Sequence, residues 1–385
     1  MSSCNTGNVL LVSNYPSDTG YAWWLMERLW VAFAKLSSEG GNRTYLAYPA
    51  LRGLSEAVRT ADIEAVEMSF PWNSSQQRAN LLRFIKERRI ETVYLTDQPY
   101  FSLLYSRLRQ AGVRRIIVHD HTPGDRPKAL GLRAALKRLR HRFKACCADL
   151  FINVSPAMRS RSIESGCVPE AKCVTVQNGI DPVVCDAERR DMIRYKLGIR
   201  PESVLIVSSG RAHPYKRFDF IVNVAASMRN GATADYVFAL VGDGDMIPKL
   251  KVQIEALGIA DKVRLLGFRS DVRDILCAAD LAIHASLGEG FSLSIVEYMS
   301  SGLPVIVPDI PSVSQAIEAG VTGCVYPRES VAQAAEHVMA LCRDAVRRTQ
   351  MGQAAKQIAD SAYTSSRTIA EFTQALRSFL SATTH

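Results

Sequence analysis

No stretch of this 385-residue chain is apolar for long enough to span a membrane as a helix, which takes about 20 consecutive residues. The first residues, MSSCNTGNVLLVSNYP, also lack the basic segment of a secretion signal, and NVLLVSN is too short for its apolar core. We expect a first strand there instead. The composition, 47% hydrophobic and 22% charged, is that of a globular protein, and the length allows two domains with a core each.

The nine cysteines lack the spacing of metal ligands. Cys146 and Cys147 are adjacent, and most of the others fall within apolar runs. An odd number of scattered cysteines is typical of reduced thiols rather than of a disulfide framework. We therefore expect a cytoplasmic protein whose cysteines are reduced.

The glycine fingerprint of dinucleotide-binding enzymes, G-x-G-x-x-G after a strand, is also missing. The segment VGDGDMI supplies Gly242 and Gly244 but no third glycine, and the first strand is followed by NYPSDTGY. These departures disfavour a dinucleotide-dependent dehydrogenase.

Acidic residues are absent from one segment, Arg126–Lys144, which carries eight cations. They are Arg126, Lys128, Arg133, Lys137, Arg138, Arg140, Arg142 and Lys144. Because the net charge of the whole chain is +9, the remainder is nearly neutral and the positive charge is concentrated here.

The same segment has the periodicity of an amphipathic helix. Its apolar stripe, spaced i, i+4, i+7 and i+11, is Leu132, Leu136, Leu139 and Phe143. The stripe either docks on the protein's own sheet or contacts an anionic membrane surface. In the second case the membrane-contact cations are Arg133, Lys137, Arg140 and Lys144. Nucleic acid is not an expected partner, because no RNA- or DNA-binding module is visible.

Strand and helix patterns alternate along the chain. The strand patterns, such as NVLLVSN, TVYLTD and YVFALVG, are short and continuously apolar, which predicts parallel sheets covered by helices on both faces. The turn sequence NGIDP (Asn178–Pro182) separates two such series. We therefore predict an α/β protein of two doubly wound domains, residues 1–180 and 181–385. A final helix is predicted over Thr368–Leu380, and the sequence leaves open which of the two domains it docks on.

The stretch Ser286–Gly302, SLGEGFSLSIVEYMSSG, is predicted to be a loop that enters a helix. It lies between LAIHA and PVIVP, both typical of buried strands. Gly288 and Gly290 permit close backbone approach, and Ser292 is a suitable N-cap. A loop at the carboxyl end of a strand that feeds a helix N-terminus is a favourable anion site.

Two carboxylates accompany this loop. Glu289 lies in the loop and Glu297 in the following helix, so both can face one crevice and accept hydrogen bonds from sugar hydroxyls. The alternative is that both are solvated surface charges.

A second motif, GRAHPYKRFD, follows the strand pattern SVLIVSSG. Arg211 and Lys216 bracket its proline-containing turn and suit a diphosphate, because Arg offers a directional fork and Lys a mobile charge. Cations at a helix N-terminus oppose the helix dipole, which favours a negatively charged ligand over a merely solvated helix start. His119, in IIVHDH, ends a strand of the first domain and is either a ligand-facing group or a structural hydrogen-bonding side chain.

In order, the segments HD, SPAM, NGID, GRAHPYKR, VGDGD, LLGF, EGFSLSIVE and SGLPVIVPD resemble the motifs of the retaining GT-B glycosyltransferases of glycosyltransferase family four. The resemblance covers nearly the whole second domain and scattered points of the first. It implies two Rossmann-like domains that face each other across a cleft, with a nucleotide-diphosphate sugar held mainly by the second domain.

The resemblance also implies roles for single residues. The candidate catalytic residues are His119 and Glu289 at the transferred sugar, and Arg211 and Lys216 at the diphosphate. Glu297 falls where the family binds the ribose hydroxyls. The other donor-binding positions are Gly20, Gly210, Gly242, Gly244, Gly290, Phe291, Ser292 and Leu293, with Phe268 and Arg269 near the nucleobase.

Three features depart from the family pattern. Ser292 and Arg217 stand where glycine is common, and the glycine-rich loop after the first strand is reduced to Asp18, Thr19 and Gly20.

The activity implied is transfer of a sugar, with retention of configuration, from a nucleotide-diphosphate sugar to a glycan or lipid-linked acceptor in cell-surface polysaccharide or glycolipid synthesis. No metal or other cofactor is expected, since Arg211 and Lys216 would neutralise the diphosphate. The enzyme would be cytoplasmic, and peripheral on the inner face of the membrane if the basic helix binds lipid. A nucleotide-sugar epimerase on the same scaffold and a catalytically silent sugar-nucleotide-binding protein are the alternatives.

Overall fold

The computed structural model of the chain describes residues 6–19, 24–70, 74–124, 126–229, 231 and 234–382. The chain divides into two compact units. The first comprises Met1–Asn178 and Ser365–His385, and the second comprises Gly179–Thr364. The C-terminal segment thus falls in the first unit, whereas the sequence-based division had assigned it to 181–385.

The first unit is built on a seven-stranded parallel sheet of order β3-β2-β1-β4-β5-β6-β7. Its strands are β1 (Asn8–Val12), β2 (Thr44–Tyr48), β3 (Glu64–Glu67), β4 (Ile90–Thr96), β5 (Arg115–Asp120), β6 (Leu150–Asn153) and β7 (Cys173–Thr175). The helices between them are α1 (Trp24–Glu39), α2 (Glu56–Arg59), α3 (Ser75–Glu87), α4 (Leu103–Gln110), α5 (Gly131–Arg140) and α6 (Pro156–Glu164).

Apolar layers cover both faces of this sheet, which explains the continuous apolar strands. Val9 and Leu11 of β1 pack in the layer that includes Trp30 of α1, whereas Leu10 and Val12 pack in the opposite layer with α3 and α4. Successive side chains of a strand point to opposite faces, so a strand buried on both sides is apolar at every position.

The second unit has a six-stranded parallel sheet of order β10-β9-β8-β11-β12-β13. Its strands are β8 (Val204–Ser209), β9 (Tyr236–Val241), β10 (Val263–Gly267), β11 (Leu281–Ile283), β12 (Val305–Pro308) and β13 (Gly323–Tyr326). Its helices are α7 (Ala187–Lys196), α8 (Phe218–Ser227), α9 (Ile247–Ala256), α10 (Val272–Ala278), α11 (Leu293–Ser300), α12 (Pro311–Ser314), α13 (Val331–Arg343) and α14 (Ala345–Ala362).

The last helix, α15 (Ser365–Ala382), packs in the first unit. Phe372, Leu376 and Leu380 are buried in the same apolar layer as Trp30 and Phe33 of α1. The predicted α/β class with two doubly wound parallel sheets is confirmed by these topologies. No helix in the described part of the chain is both long and apolar enough to cross a membrane.

One expectation about the cysteines is wrong. Cys185, just before α7, forms a disulfide with Cys277 of α10, across a sequence separation of 92 residues. Six others within the described ranges are free thiols: Cys146, Cys147, Cys167, Cys173, Cys324 and Cys342. The pair was not recognisable in sequence because only the packing of α7 against α10 brings its two members together.

Candidate active site

The loops that follow β8 and β9 lie against each other, backbone to backbone. The Gly210 amide donates to the Val241 carbonyl (3.0 Å) and the Ala212 amide to the Asp243 carbonyl (2.9 Å). Gly242 has φ +136°, and a Cβ there would collide with the Gly210 carbonyl oxygen. Only glycine permits both the approach and the backbone conformation. This contact fixes the loop that carries Arg211 and Lys216.

Lys216 and Glu289, predicted from separate motifs, are in direct contact. The Lys216 Nζ donates to Glu289 Oε1 at 2.6 Å, and His284 Nε2 lies 2.9 Å from the same oxygen. The Leu287 amide donates to the Tyr215 carbonyl (3.0 Å), which joins the two loops through their backbones as well. We call Lys216, Glu289 and His284 the donor-side cluster.

His284 had not been predicted as a site residue. It follows directly after β11, in LAIHA, and is 2% exposed. A polar side chain at the carboxyl end of an otherwise apolar buried strand was the signal that could have identified it.

Burial alone would raise the pKa of Glu289, but the charge of Lys216 and the hydrogen bonds from His284 and Lys216 outweigh it and lower the pKa to about 2. Burial lowers the pKa of His284, only partly offset by its bond to Glu289. At neutral pH the donor-side cluster therefore holds an ionised carboxylate beside an uncharged imidazole, and the carboxylate accepts hydrogen bonds.

The predicted loop and helix after β11 are present, with Ser292 at the N-cap position of α11. The Ser292 side chain makes no capping hydrogen bond, and its Oγ instead lies 3.5 Å from His284 Nε2. Leu293 begins α11, and Phe291 is buried against Tyr363 with ring centroids 5.3 Å apart. The Gly290 carbonyl accepts from the Gln315 side chain at 3.3 Å.

Glu297 is 4% exposed on α11 and is not the solvated charge of the alternative interpretation. The next residue, Tyr298, ties α11 to the end of β8, because its hydroxyl accepts from the Ser209 amide at 2.6 Å. The helix that carries Glu297 is thus anchored directly beside the loop that carries Arg211.

Arg211 and the two residues predicted to lie near the nucleobase, Phe268 and Arg269, are more exposed than the donor-side cluster. Arg211 is exposed and makes no ion pair within the described ranges. Gly242 donates to the Gly267 carbonyl (2.8 Å), which brings the end of β10 next to the same loops. Beyond it Phe268 is 80% exposed, while Arg269 is held by Asp271 at 2.6 Å. Gly244 has φ +153°, and a Cβ there would lie 2.5 Å from the Ala212 carbonyl oxygen.

Arg217 stands where the family commonly has glycine, and its backbone has a conformation that glycine favours. Its φ is +56° and ψ +42°, in the left-handed region. Bonds to Asp219 and Glu329 hold the guanidinium, at 3.3 and 2.8 Å. The Arg217 side chain is therefore paired with neighbouring carboxylates, unlike Arg211 in the described part of the chain.

His119 lies in the first unit and is fully buried at the end of β5. Its Nδ1 is 2.6 Å from the Tyr94 hydroxyl, and its ring stacks on Phe372 with centroids 6.1 Å apart. Burial, with a smaller contribution from His121, lowers its pKa well below the ordinary value. The ring is therefore neutral and tightly packed, and its role at a sugar remains a prediction. Gly20 lies outside the described residues.

The basic helix exists but is shorter than its sequence pattern. α5 ends at Arg140, so Phe143 follows it and Lys144 begins a short 3₁₀ turn. The apolar stripe does not dock on the sheet, and its members are 76, 52, 52 and 62% exposed: Leu132, Leu136, Leu139 and Phe143. Docking instead uses Ala134, which is buried, together with Lys137 and His141. Of the two interpretations, docking by the stripe is wrong.

Two family models match the chain, "Glycosyltransferase Family 4" over residues 26–184 and "Glycosyl transferases group 1" over residues 189–358. The UDP-Gal:alpha-D-GlcNAc-diphosphoundecaprenol alpha-1,3-galactosyltransferase of Escherichia coli is 30% identical over 239 residues, 60% of this chain and 61% of that protein. The alpha-D-kanosaminyltransferase of Streptomyces kanamyceticus is 30% identical over 46% of this chain and 45% of that protein. The chain thus spans about half the length of the curated relatives it matches.

Among solved structures, Anabaena HepE in complex with UDP superposes with a TM-score of 0.75 over 96% of this chain and 100% of that one, at 18% identity. A likeness at this identity concerns the fold. The two adjoining family matches follow the two sheets, and two members of the donor-side cluster, Lys216 and Glu289, come from motifs that suggested the resemblance. The chain belongs to the GT-B glycosyltransferases of family four.

Proposed function

We propose that the chain transfers a sugar, with retention of configuration, from a nucleotide-diphosphate sugar to a glycan or lipid-linked acceptor. The observation that carries this proposal is the 2.6 Å contact between Lys216 and Glu289, which joins the diphosphate motif to the sugar motif. Similar proteins support it: HepE has been crystallised with UDP-glucose, and the Escherichia coli relative is named for a UDP-Gal donor and a diphosphoundecaprenol-linked acceptor.

The proposed chemistry follows from charge. The bond between the anomeric carbon and the diphosphate oxygen breaks, which leaves an oxocarbenium-like sugar and an anionic nucleoside diphosphate. Arg211 and Lys216 stabilise the charge that develops on the leaving oxygen. That phosphate accepts the proton of the acceptor hydroxyl, whose oxygen bonds to the anomeric carbon from the same face. Glu289 and Glu297 accept hydrogen bonds from sugar and ribose hydroxyls, and the cations take the role that a metal would otherwise fill.

A panel of nucleotide sugars, scored by thermal stabilisation, would identify the donor. Its labelled form would then be incubated with a membrane lipid extract. We expect label to move to an extract component only when donor and extract are both present. Interconversion of the sugar without any extract would indicate the epimerase alternative, and binding without consumption of the donor would indicate the silent binding protein.

We also propose that α5 binds an anionic bilayer, which would place the protein on the inner face of the cytoplasmic membrane. The support is the exposed apolar stripe beside cations that have no carboxylate partner in the described structure, among them Arg133 and Arg140. Such a surface is complementary to anionic lipid.

Flotation with vesicles would test membrane binding. We expect the chain to float with phosphatidylcholine vesicles that contain phosphatidylglycerol and not with phosphatidylcholine alone. Leu132→Ser with Leu136→Ser should abolish flotation. The matched control is Val252→Ser with Val346→Ser, at exposed apolar positions of α9 and α14 (66 and 68% exposed). Equal flotation of both double variants would contradict the proposal.

A further inference from the structure

A cavity of about 390 Å³ lies in the first unit between α5, α6 and the carboxyl ends of β4 and β5. This volume is within the usual range of small-molecule sites. Apolar side chains form part of its wall, among them Tyr100, Phe151 and Val168, all at least nine-tenths buried. None of the residues assigned above to donor binding lines it.

Cations dominate the polar lining of this cavity. They are Arg126, Arg133, Lys137, Arg140 and Arg161. Among the described residues, only Arg161 of these five pairs with a carboxylate, that of Asp120 at 3.0 Å, and it also donates to the Thr122 carbonyl at 2.9 Å. For the other four cations, no ion pair occurs within the described ranges. We call these four the cavity cations.

Two of the cavity cations are held in place by uncharged groups. The Arg140 guanidinium lies 4.6 Å from the ring centroid of Phe101, and the Lys137 Nζ donates to the Ser165 carbonyl oxygen. Both positions keep the charge at the cavity without neutralising it, and both leave N–H groups for a ligand.

The acids of the lining do not compensate the cavity cations. They are Asp97 and Asp120. Asp120 accepts from Arg161 and from the Thr122 hydroxyl (2.5 Å), and Asp97 accepts from the His121 amide (2.6 Å). Burial, the largest effect on Asp97, raises its pKa.

A ligand must therefore supply the missing negative charge. A phosphate group carries a charge of about −1.5 to −2 and several acceptor oxygens, and it matches the guanidinium fork. One carboxylate would leave most of the four charges uncompensated. We propose that this cavity binds a phosphate or diphosphate group of the sugar acceptor, an assignment that deepens the proposed transferase function and rests on it.

The test is isothermal titration of the full chain with inorganic pyrophosphate. Arg133→Gln with Arg140→Gln removes two cavity cations. Arg138→Gln with Arg142→Gln removes equal charge from the same segment, at exposed positions outside the cavity. We expect pyrophosphate to bind the first variant at least about tenfold more weakly than the wild type, and the second within about twofold. Any pyrophosphate that occupies the donor-side cluster contributes equally to all three proteins, so the difference reports the cavity.

Equal weakening in both variants, or in neither, would overturn the assignment. A single Arg133→Glu exchange checks the result independently. It changes the charge at the cavity by two units, as the double variant Arg133→Gln with Arg140→Gln does, and should weaken pyrophosphate binding to a similar extent without altering the circular dichroism spectrum. Failure of every nucleotide sugar to stabilise the wild type would contradict the transferase proposal. The pyrophosphate titrations would still decide, by themselves, whether the cavity binds phosphate.

The source of the phosphate is resolved by two further probes. Glucose 1-phosphate represents a soluble acceptor, and phosphatidylcholine vesicles that contain a polyprenyl monophosphate represent a lipid-linked one. Binding of either that requires Arg133 and Arg140 supports the cavity, provided that the vesicles bind more tightly than phosphatidylcholine vesicles given the same charge by phosphatidylglycerol, and the stronger of the two probes identifies the source. Binding of neither, or binding that is insensitive to the cavity variant, would count against it.

Discussion

The two charged sites of the molecule handle positive charge in opposite ways. In the donor-side cluster, Lys216 has the Glu289 carboxylate at 2.6 Å, so the charges compensate one another before any ligand arrives. In the cavity of the first unit, four cations have no carboxylate partner in the described structure. A compensated site retains its geometry when empty, whereas an uncompensated one depends on its ligand and on ionic strength.

The largest effect should come from the one compensated cation of the cavity. Arg161→Met would leave the buried Asp120 carboxylate without its partner, and we expect the free energy of unfolding to fall by about 3–5 kcal/mol. Arg133→Met, in the same cavity but exposed and unpaired, should change it by less than about 0.5 kcal/mol. Urea denaturation of both variants measures the contrast. Similar losses would show that the cavity cations are structural after all.

The second comparison is between the units themselves. The second unit carries the Cys185–Cys277 disulfide, while the described cysteines of the first unit are free. Under oxidising conditions Cys185→Ser should lower the free energy of unfolding by about 2–4 kcal/mol, and a reductant should remove that difference. Cys167→Ser, at a free thiol in the first unit, serves as the control. A destabilisation that persists in reductant would show that Cys185 acts through packing.

A third prediction concerns catalysis. Lys216→Ala should reduce turnover by about two orders of magnitude, or about 2.7 kcal/mol, the scale for loss of one preorganised stabilising group. Lys249→Ala, an exposed lysine on α9, should leave turnover unchanged. Steady-state kinetics with the identified donor measures both. Turnover of the Lys216 variant at the wild-type rate would refute the role of its charge.

The smallest effect is expected in the pH dependence of the free energy of unfolding, through Glu289 of the donor-side cluster. The folded-state pKa of Glu289, about 2, lies below the value of 4.5 for an unperturbed glutamate. Its stabilising contribution is therefore complete above pH 4.5 and is lost as the pH falls towards 2. Glu289→Gln should flatten the fall of unfolding free energy across this window, by at most about 1.4 kcal/mol per pH unit.

Urea titrations between pH 2.5 and 5 provide the measurement for Glu289. Glu336→Gln, an exposed glutamate on α13, should leave the slope of the wild type unaltered. Identical slopes for the two variants would contradict the depressed pKa.

The sequence was most informative where burial on both faces of a sheet forces continuous apolar runs, as in β1, β4 and β9. It was least informative at the sheet edges. β3 reads EAVE and has two exposed glutamates, so no apolar run marked it. β13 has only four residues, and α14 mixes alanine and polar residues without a clear apolar stripe.

In the candidate site, too, some residues were predictable from the sequence and others were not. Local motifs identified Lys216 and Glu289. The third member, His284, was marked only by its place at the end of the apolar strand β11, and its contact with Glu289 appears only in the folded loop. For α5 the apolar and charged pattern predicted a helix but not which of its faces packs against the rest of the unit. Lys137 and His141 dock through the backbone carbonyls of Ser165 and Cys167, and hydropathy does not reveal acceptors of that kind.

The arrangement of α5 has a geometric consequence. One side of this ten-residue helix contributes cations to the cavity, and its leucines face solvent. A helix with its side chains is about 10 Å across. If the phosphate of a lipid-linked molecule binds at the cavity side of α5 and the leucine side contacts a bilayer, a linker of about 10 Å is enough to leave the hydrocarbon chain in that bilayer. A lipid-linked substrate could then be engaged without ever being extracted from its leaflet.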